Sequence, residues 1–129
     1  MKTKQITEKT GLSKDTIRFY EKEKLIPTPS RSANGYRDYD EADVRRLSFI
    51  GRSRAFGFSV DECRQLLTLY ADPGRASADV KALAREHLKE VEAKIIELES
   101  MKSTLKTLIK SCRGDHRPDC PILNDLASV

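Results

Sequence analysis

Two short stretches of helical periodicity open the chain. Thr3 to Thr10 reads as a first helix ended by Gly11, and Ser13 caps a second from about Lys14 to Lys22. Ile6, Leu12, Ile17 and Phe19 supply the apolar positions predicted to pack the pair. Two helices around a glycine turn predict a helix-turn-helix, with the polar ends of Lys14, Arg18 and Tyr20 available to a groove. From Leu25 to Tyr39 the helical period is lost: Pro27 and Pro29 forbid a helix, and Asn34-Gly35 favours a tight hairpin. The hairpin reads as a wing whose tip carries Arg31, Tyr36 and Arg37, cations and an aromatic suited to a sugar-phosphate backbone. A solvated surface hairpin with two core tyrosines is the other reading of that segment.

Helical periodicity then returns. Asp40-Glu41-Ala42-Asp43 opens a third helix, with Val44, Leu47, Phe49 and Ile50 as its apolar content and an end near Ala55. Ser59 caps a fourth through Leu69 or Tyr70, with Cys63, Leu66, Leu67 and Tyr70 on one face. From Ala78 to Ser111 there is neither Gly nor Pro, and Ala84, Leu88, Val91, Ile95, Leu98, Leu105 and Ile109 form a heptad seam. Such a helix is roughly 50 Å long at about 1.5 Å per residue. A head of about 75 residues cannot cover that length, so a second copy is expected on the stripe, parallel or antiparallel. His87 sits near the seam, where packing or surface exposure is the expectation. The predicted fold is mainly α: a winged helix-turn-helix head over 1–75, a dimerisation helix over 76–111, and a loop with a short helix over 112–129.

Charge sharpens this division. Residues 1–54 carry 13 Lys/Arg against 8 Asp/Glu, whereas residues 55–129 carry 11 against 12, so the net charge of +4 belongs to the head. A base-rich head fits double-stranded DNA as partner. Neither a membrane-spanning run nor a signal-peptide core is present, and a cytoplasmic protein with no membrane partner is expected. Three cysteines, an odd number, argue against a disulfide scaffold. Cys63 is expected as a small buried hydrophobe.

The remaining two cysteines bracket Arg113-Gly114-Asp115-His116-Arg117-Pro118-Asp119, and Pro121 starts a short helix whose positive end faces Cys120. That setting favours thiolate, and two thiolates alone suit Cu(I)-like ions better than Zn(II). Incidental cysteines on a tail, a regulatory disulfide, and a third ligand in His116 stay open on the residues alone. No Ser/His/Asp set, paired carboxylates or phosphate-cradling loop points to an enzyme.

Taken in order, Gly11-Leu12-Ser13, Thr16-Ile17-Arg18-Phe19-Tyr20-Glu21, Leu25-Ile26, Arg31-Ser32, Asn34-Gly35-Tyr36-Arg37-Asp38-Tyr39 and Gly57-Phe58-Ser59 resemble the MerR-family signature, and the likeness runs through the long helix to the cysteine loop. This resemblance implies a homodimeric activator. Lys14, Arg18 and Tyr20 would belong to its recognition helix, and Arg31, Tyr36 and Arg37 to the wing on promoter DNA. Effector binding would bend and untwist the promoter so that RNA polymerase engages it. Divalent-ion sensors of the family place a cysteine where this chain has Ser77, so the resemblance implies the monovalent branch. There Cys112 and Cys120 would bind Cu(I), or Ag(I) or Au(I), with Ser77 and Lys81 of the other subunit enclosing the complex, and the genes served would be for metal efflux or detoxification. The chain ends at Val129 without the Cys/His-rich tail of some relatives, which leaves accessory metal transfer in question. A thiol-redox or divalent-metal regulator on the same scaffold is the alternative. A coiled-coil protein whose basic head binds protein rather than DNA is a further one, against which the wing sequence weighs.

Overall fold

The computed structural model describes residues 1–128; Val129, the last residue of the third predicted segment, lies outside them. The architecture is mainly α, in the order α1 Thr3–Thr10, α2 Lys14–Lys22, β1 Ser30–Arg31, β2 Arg37–Asp38, α3 Glu41–Ala55, α4 Val60–Ala71, α5 Ser77–Ser111 and α6 Pro121–Ala127. The chain divides into two compact units, Met1–Lys81 and Ala82–Val129.

In the first unit, local chemistry fixes where each helix begins and ends. Gly11 closes α1 at φ +72°, in the left-handed region, where its amide donates to the Thr7 carbonyl at 2.9 Å. Ser13 Oγ accepts from the Thr16 amide at 3.1 Å and so starts α2 after a turn of two further residues. Helix α3 is opened by a reciprocal box in which Asp40 accepts from the Asp43 amide at 2.8 Å and Asp43 accepts from the Asp40 amide at 3.1 Å. Ser59 and Glu62 repeat the arrangement at α4, at 3.1 and 2.9 Å. Strands β1 and β2 pair antiparallel, Ser30 opposite Asp38 and Arg31 opposite Arg37. Gly35, at φ +80°, turns the chain between them.

The core of this unit gathers Ile6 from α1, Ile17 and Tyr20 from α2, Leu25, Ile26 and Tyr39 from the wing segment, and Leu47 and Ile50 from α3. Leu12 packs against it from the turn. Phe19 departs from expectation: it is 45% exposed, while Tyr20 is 5% exposed. A step of three from Ile17 brings Tyr20 to within about 60° of its azimuth, whereas Phe19, two residues on, is turned about 160° away. Cys63 is fully buried, as expected, and burial pushes its thiol pKa up.

Within the second unit, α5 carries its apolar stripe without cover. Leu88, Ile95, Leu98, Leu105 and Ile109 are all at least half exposed, and Ile96 and Met101 beside them are exposed too. His87 is the buried residue of α5. After Ser111 the loop leads to α6, where Pro121 occupies the first turn and Cys120 the cap position. No helix among the described residues is long and apolar enough to cross a membrane.

Candidate nucleic-acid interface and effector site

Helix α2 turns Ile17, Tyr20 and Glu21 inward, and at about 100° per residue this leaves Asp15, Phe19 and Lys22 on the outer side with Arg18 at its edge. Lys14 is exposed and Arg18 half-buried. The Arg18 Nε is sealed from solvent and has no hydrogen-bond partner among the described residues. Tyr20, grouped with these two in the sequence, contributes its ring to the core and is only 5% exposed. Phe19 was not grouped with them, and its place outside would have been legible from the three-residue step between Ile17 and Tyr20.

Arg31 and Tyr36 are exposed on the wing. The Arg31 Nη1 donates to the Gly35 carbonyl at 2.9 Å and braces the turn, and the Ser32 amide donates to the Tyr36 carbonyl at 2.8 Å. Arg37 is only half-buried and is not free: its Nε donates to Glu21 Oε2 at 3.1 Å. The Tyr39 hydroxyl donates to the other oxygen of that carboxylate at 2.5 Å. Burial first, and the Glu21 carboxylate second, push the Tyr39 pKa up to about 12.

Ser77 is the first residue of α5 and Lys81 lies one turn on; both are exposed. The two outer thiols belong to the C-terminal segment. The Cys112 amide donates to the Leu108 carbonyl at 3.1 Å as the α5 ladder ends. At Cys120 the amide of Leu123, assisted by that of Ile122 and by the Cys112 thiol, holds the thiol pKa below its ordinary value. Both cysteines are half-buried and unbridged. Arg117 is tied back to Asp115 at 3.1 Å within the intervening loop.

Among the described residues, the set of metal-capable side chains that the structure gathers is of the His/Glu kind, with neither Cys112 nor Cys120 in it. Its members on α5 are His87 and Glu90, one turn apart, with Nδ1 and Oε2 3.7 Å from each other. This corrects the expectation of Cu(I), Ag(I) or Au(I) held by two thiolates. Imidazole and carboxylate are nitrogen and oxygen donors of borderline to hard character, which suit divalent ions rather than soft monovalent ones. His87 is buried, as the packing reading expects, and is at the same time a member of that set. Its three-residue spacing from Glu90 was the available signal, obscured by the apolar seam beside it.

A helix-turn-helix with a braced hairpin wing, followed by a 35-residue helix with an exposed apolar stripe, defines a winged-helix DNA-binding protein. Comparison with known proteins places it more narrowly. The model of the MerR HTH family regulatory proteins matches residues 1–69, and that described as MerR, DNA binding matches residues 44–108. The chain belongs to the MerR family, whose members regulate transcription and are not enzymes. It is 54% identical to an uncharacterised HTH-type transcriptional regulator of Pseudomonas aeruginosa, over 96% of this chain and 94% of the relative. With the HTH-type transcriptional regulator HmrR of Rhizobium leguminosarum bv. viciae it shares 52% identity over 95% of each chain. Among solved structures, the transcription regulator PbrR691 of Ralstonia metallidurans CH34, in complex with lead(II), matches with a TM-score of 0.80 at 39% identity, over 98% of this chain and 99% of that one.

Proposed function

We propose that the protein is a cytoplasmic, divalent-metal-responsive MerR-type transcription regulator that binds promoter DNA as a homodimer and changes the promoter's shape for RNA polymerase when the ion binds. The observation that carries the metal reading is the His/Glu grouping on a MerR scaffold. His87 would supply an imidazole nitrogen and Glu90 a carboxylate oxygen, a donor chemistry that fits a divalent ion. Cys112 and Cys120 remain proposed effector residues, as thiolate donors to an ion of that charge, with Ser77 and Lys81 of the other subunit as the residues that would enclose it. The lead(II) complex of PbrR691 supports a divalent effector on this fold.

On the DNA side, Lys14, Arg18, Arg31, Tyr36 and Arg37 are the proposed contacts, with Tyr20 acting from the core beneath them. The exposed stripe of α5 supports the dimer, because burying it against a second copy removes from water what a single chain leaves in it.

The test is an anaerobic titration of the reduced protein with Zn(II) and with Pb(II), each against a competing chelator. At least one should bind stoichiometrically, with His87→Ala weakening it about ten-fold or more, as loss of one donor predicts. Binding of monovalent ions alone, or divalent binding that ignores His87, would overturn the reading. For the DNA surface, Arg18→Ala should weaken duplex binding and flatten its salt dependence by about one phosphate contact while leaving metal stoichiometry unchanged.

A second reading is favoured by the thiol pair itself. Cys120 has a lowered pKa and a neighbouring thiol in Cys112, the setting in which an oxidant converts two thiols to a disulfide. It predicts a promoter response to oxidant in chelated, metal-free protein that Cys112→Ser and Cys120→Ser each abolish.

A further inference from the structure

Among the groups that the proposed contacts do not use, Glu21 has the most specific surroundings. It lies in the last turn of α2, and its side chain is only 8% exposed. Each carboxylate oxygen has its own donor, and both donors come from the wing: Arg37 in β2 and Tyr39 just after it. One buried carboxylate therefore joins two parts of the DNA-facing surface that are 16 and 18 residues apart in sequence. Burying a carboxylate is unfavourable unless its lone pairs are satisfied, and removing either partner exposes that penalty.

The geometry also bears on Arg37. Its Nε is committed to Glu21, so the planar guanidinium can turn only about a fixed hydrogen bond, and its terminal nitrogens point in a direction set by α2. Arg31, opposite Arg37 across the two strands, is braced separately by the Gly35 carbonyl. The two wing cations are thus oriented before any DNA arrives, and orientation in advance reduces the ordering that binding would otherwise require.

We propose that Glu21 is a positioning residue for DNA binding: by accepting from Arg37 and Tyr39 together, it locks the wing to the recognition helix so that both engage one duplex in a single register. This rests on the promoter-binding reading above. It predicts that loss of the carboxylate uncouples the wing's phosphate contacts from the base contacts of α2.

The test uses the full-length protein and a duplex that the wild-type protein selects from a random-sequence pool. Glu21→Gln, whose amide oxygen cannot accept as an anion from both donors, should weaken binding about ten-fold, the scale of one lost charge-assisted hydrogen bond. Phosphate-ethylation interference should fade at the wing-facing phosphates, while base preferences read by α2 persist. Tyr39→Phe, which removes one hydroxyl and little volume, should show the same selective fading with a smaller loss. Glu21→Asp should recover less than Glu21 does, since its shorter stem cannot span both partners. Full interference in Glu21→Gln, or contacts that weaken uniformly in step with a lowered melting temperature, would overturn the proposal in favour of a purely structural carboxylate. A wild-type protein that selects no duplex at all would instead overturn the promoter-binding reading itself, before any variant is compared.

Discussion

The head and the long helix treat the same kind of residue in opposite ways. Residues 6–50 supply eight apolar side chains to one cluster in which Ile6, Ile17, Leu47 and Ile50 lose all contact with solvent. On α5, by contrast, Leu88, Ile95, Leu98, Leu105 and Ile109 recur with equal regularity and remain at least half exposed. Periodicity alone does not distinguish the two cases, because an amphipathic stripe reports that a face is to be covered and not by what. The difference is one of supply: the head's elements face one another, and most of the seam of α5 has to be covered from outside the single chain.

The sharpest way to break that contrast is to charge the seam. Leu98→Glu places a carboxylate in the middle of the proposed dimer interface, where desolvation costs several kcal/mol. The mass measured by light scattering should fall from dimer to monomer, and duplex affinity should drop by more than a hundred-fold as bivalent binding is lost. The far-ultraviolet signal of the head should survive. A Leu98→Glu protein that remains dimeric would mean that the stripe is covered in some other way.

Cutting into the head's core should have a smaller but still large effect. Ile17→Ala leaves a cavity at a fully buried position and is expected to destabilise the unit by about 2–5 kcal/mol, read as a lowered denaturant midpoint. The same substitution at Ile96, which the head's core does not contain, should change the head's own stability by under about 0.5 kcal/mol. Equal losses at the two sites would erase the distinction between a self-sufficient core and an outward stripe.

What the sequence made legible follows the same division. Helix boundaries were readable wherever a cap had a chemical signature: Gly11, Ser13, Asp40 and Ser59 act as local punctuation that needs no tertiary context. The wing was readable because Pro27, Pro29, Asn34 and Gly35 leave the backbone few other choices. Less legible was anything that depends on which face turns inward. Phe19 and Tyr20 are adjacent aromatics, and only their azimuth relative to Ile17 separates the exposed one from the buried one. The metal expectation failed for a related reason. Two cysteines flanking a loop are conspicuous in sequence, whereas His87 and Glu90 lie within a charged helix whose residues look alike until one of them is buried. The carboxylate of Glu21, linked to residues 16 and 18 positions away, had no local signal at all.

The link between α2 and the wing can be titrated. Tyr39 binds its proton more tightly in the folded protein than the ordinary tyrosine value of 10.0, its pKa standing at about 12. A raised pKa in the folded state contributes stability that is fully present below the unfolded value and lost as pH rises through the folded one. The stability difference between wild type and Tyr39→Phe should therefore be constant up to about pH 10 and shrink between pH 10 and 12, when measured as the shift in denaturant midpoint. A difference that stays flat across that window would mean that neither burial nor Glu21 raises the Tyr39 pKa in the folded protein.

The smallest effect expected is at the cap of α4, and it tests whether local punctuation or tertiary packing holds the head's helices in place. Ser59 Oγ accepts from the Glu62 amide at 3.1 Å, and Glu62 Oε1 accepts from the Ser59 amide at 2.9 Å, so the pair satisfies one donor at each end of the first turn. Replacing Ser59 by Ala removes one of those bonds and leaves the other. The expected loss is about 1 kcal/mol, with the helix intact because Cys63 anchors its next turn in the interior. Hydrogen exchange should quicken at Asp61, Glu62 and Cys63 and stay unchanged toward Leu67. Faster exchange along all of α4 would show that the cap, rather than the buried face, decides whether the helix forms, and the head would then be less self-sufficient than its core suggests.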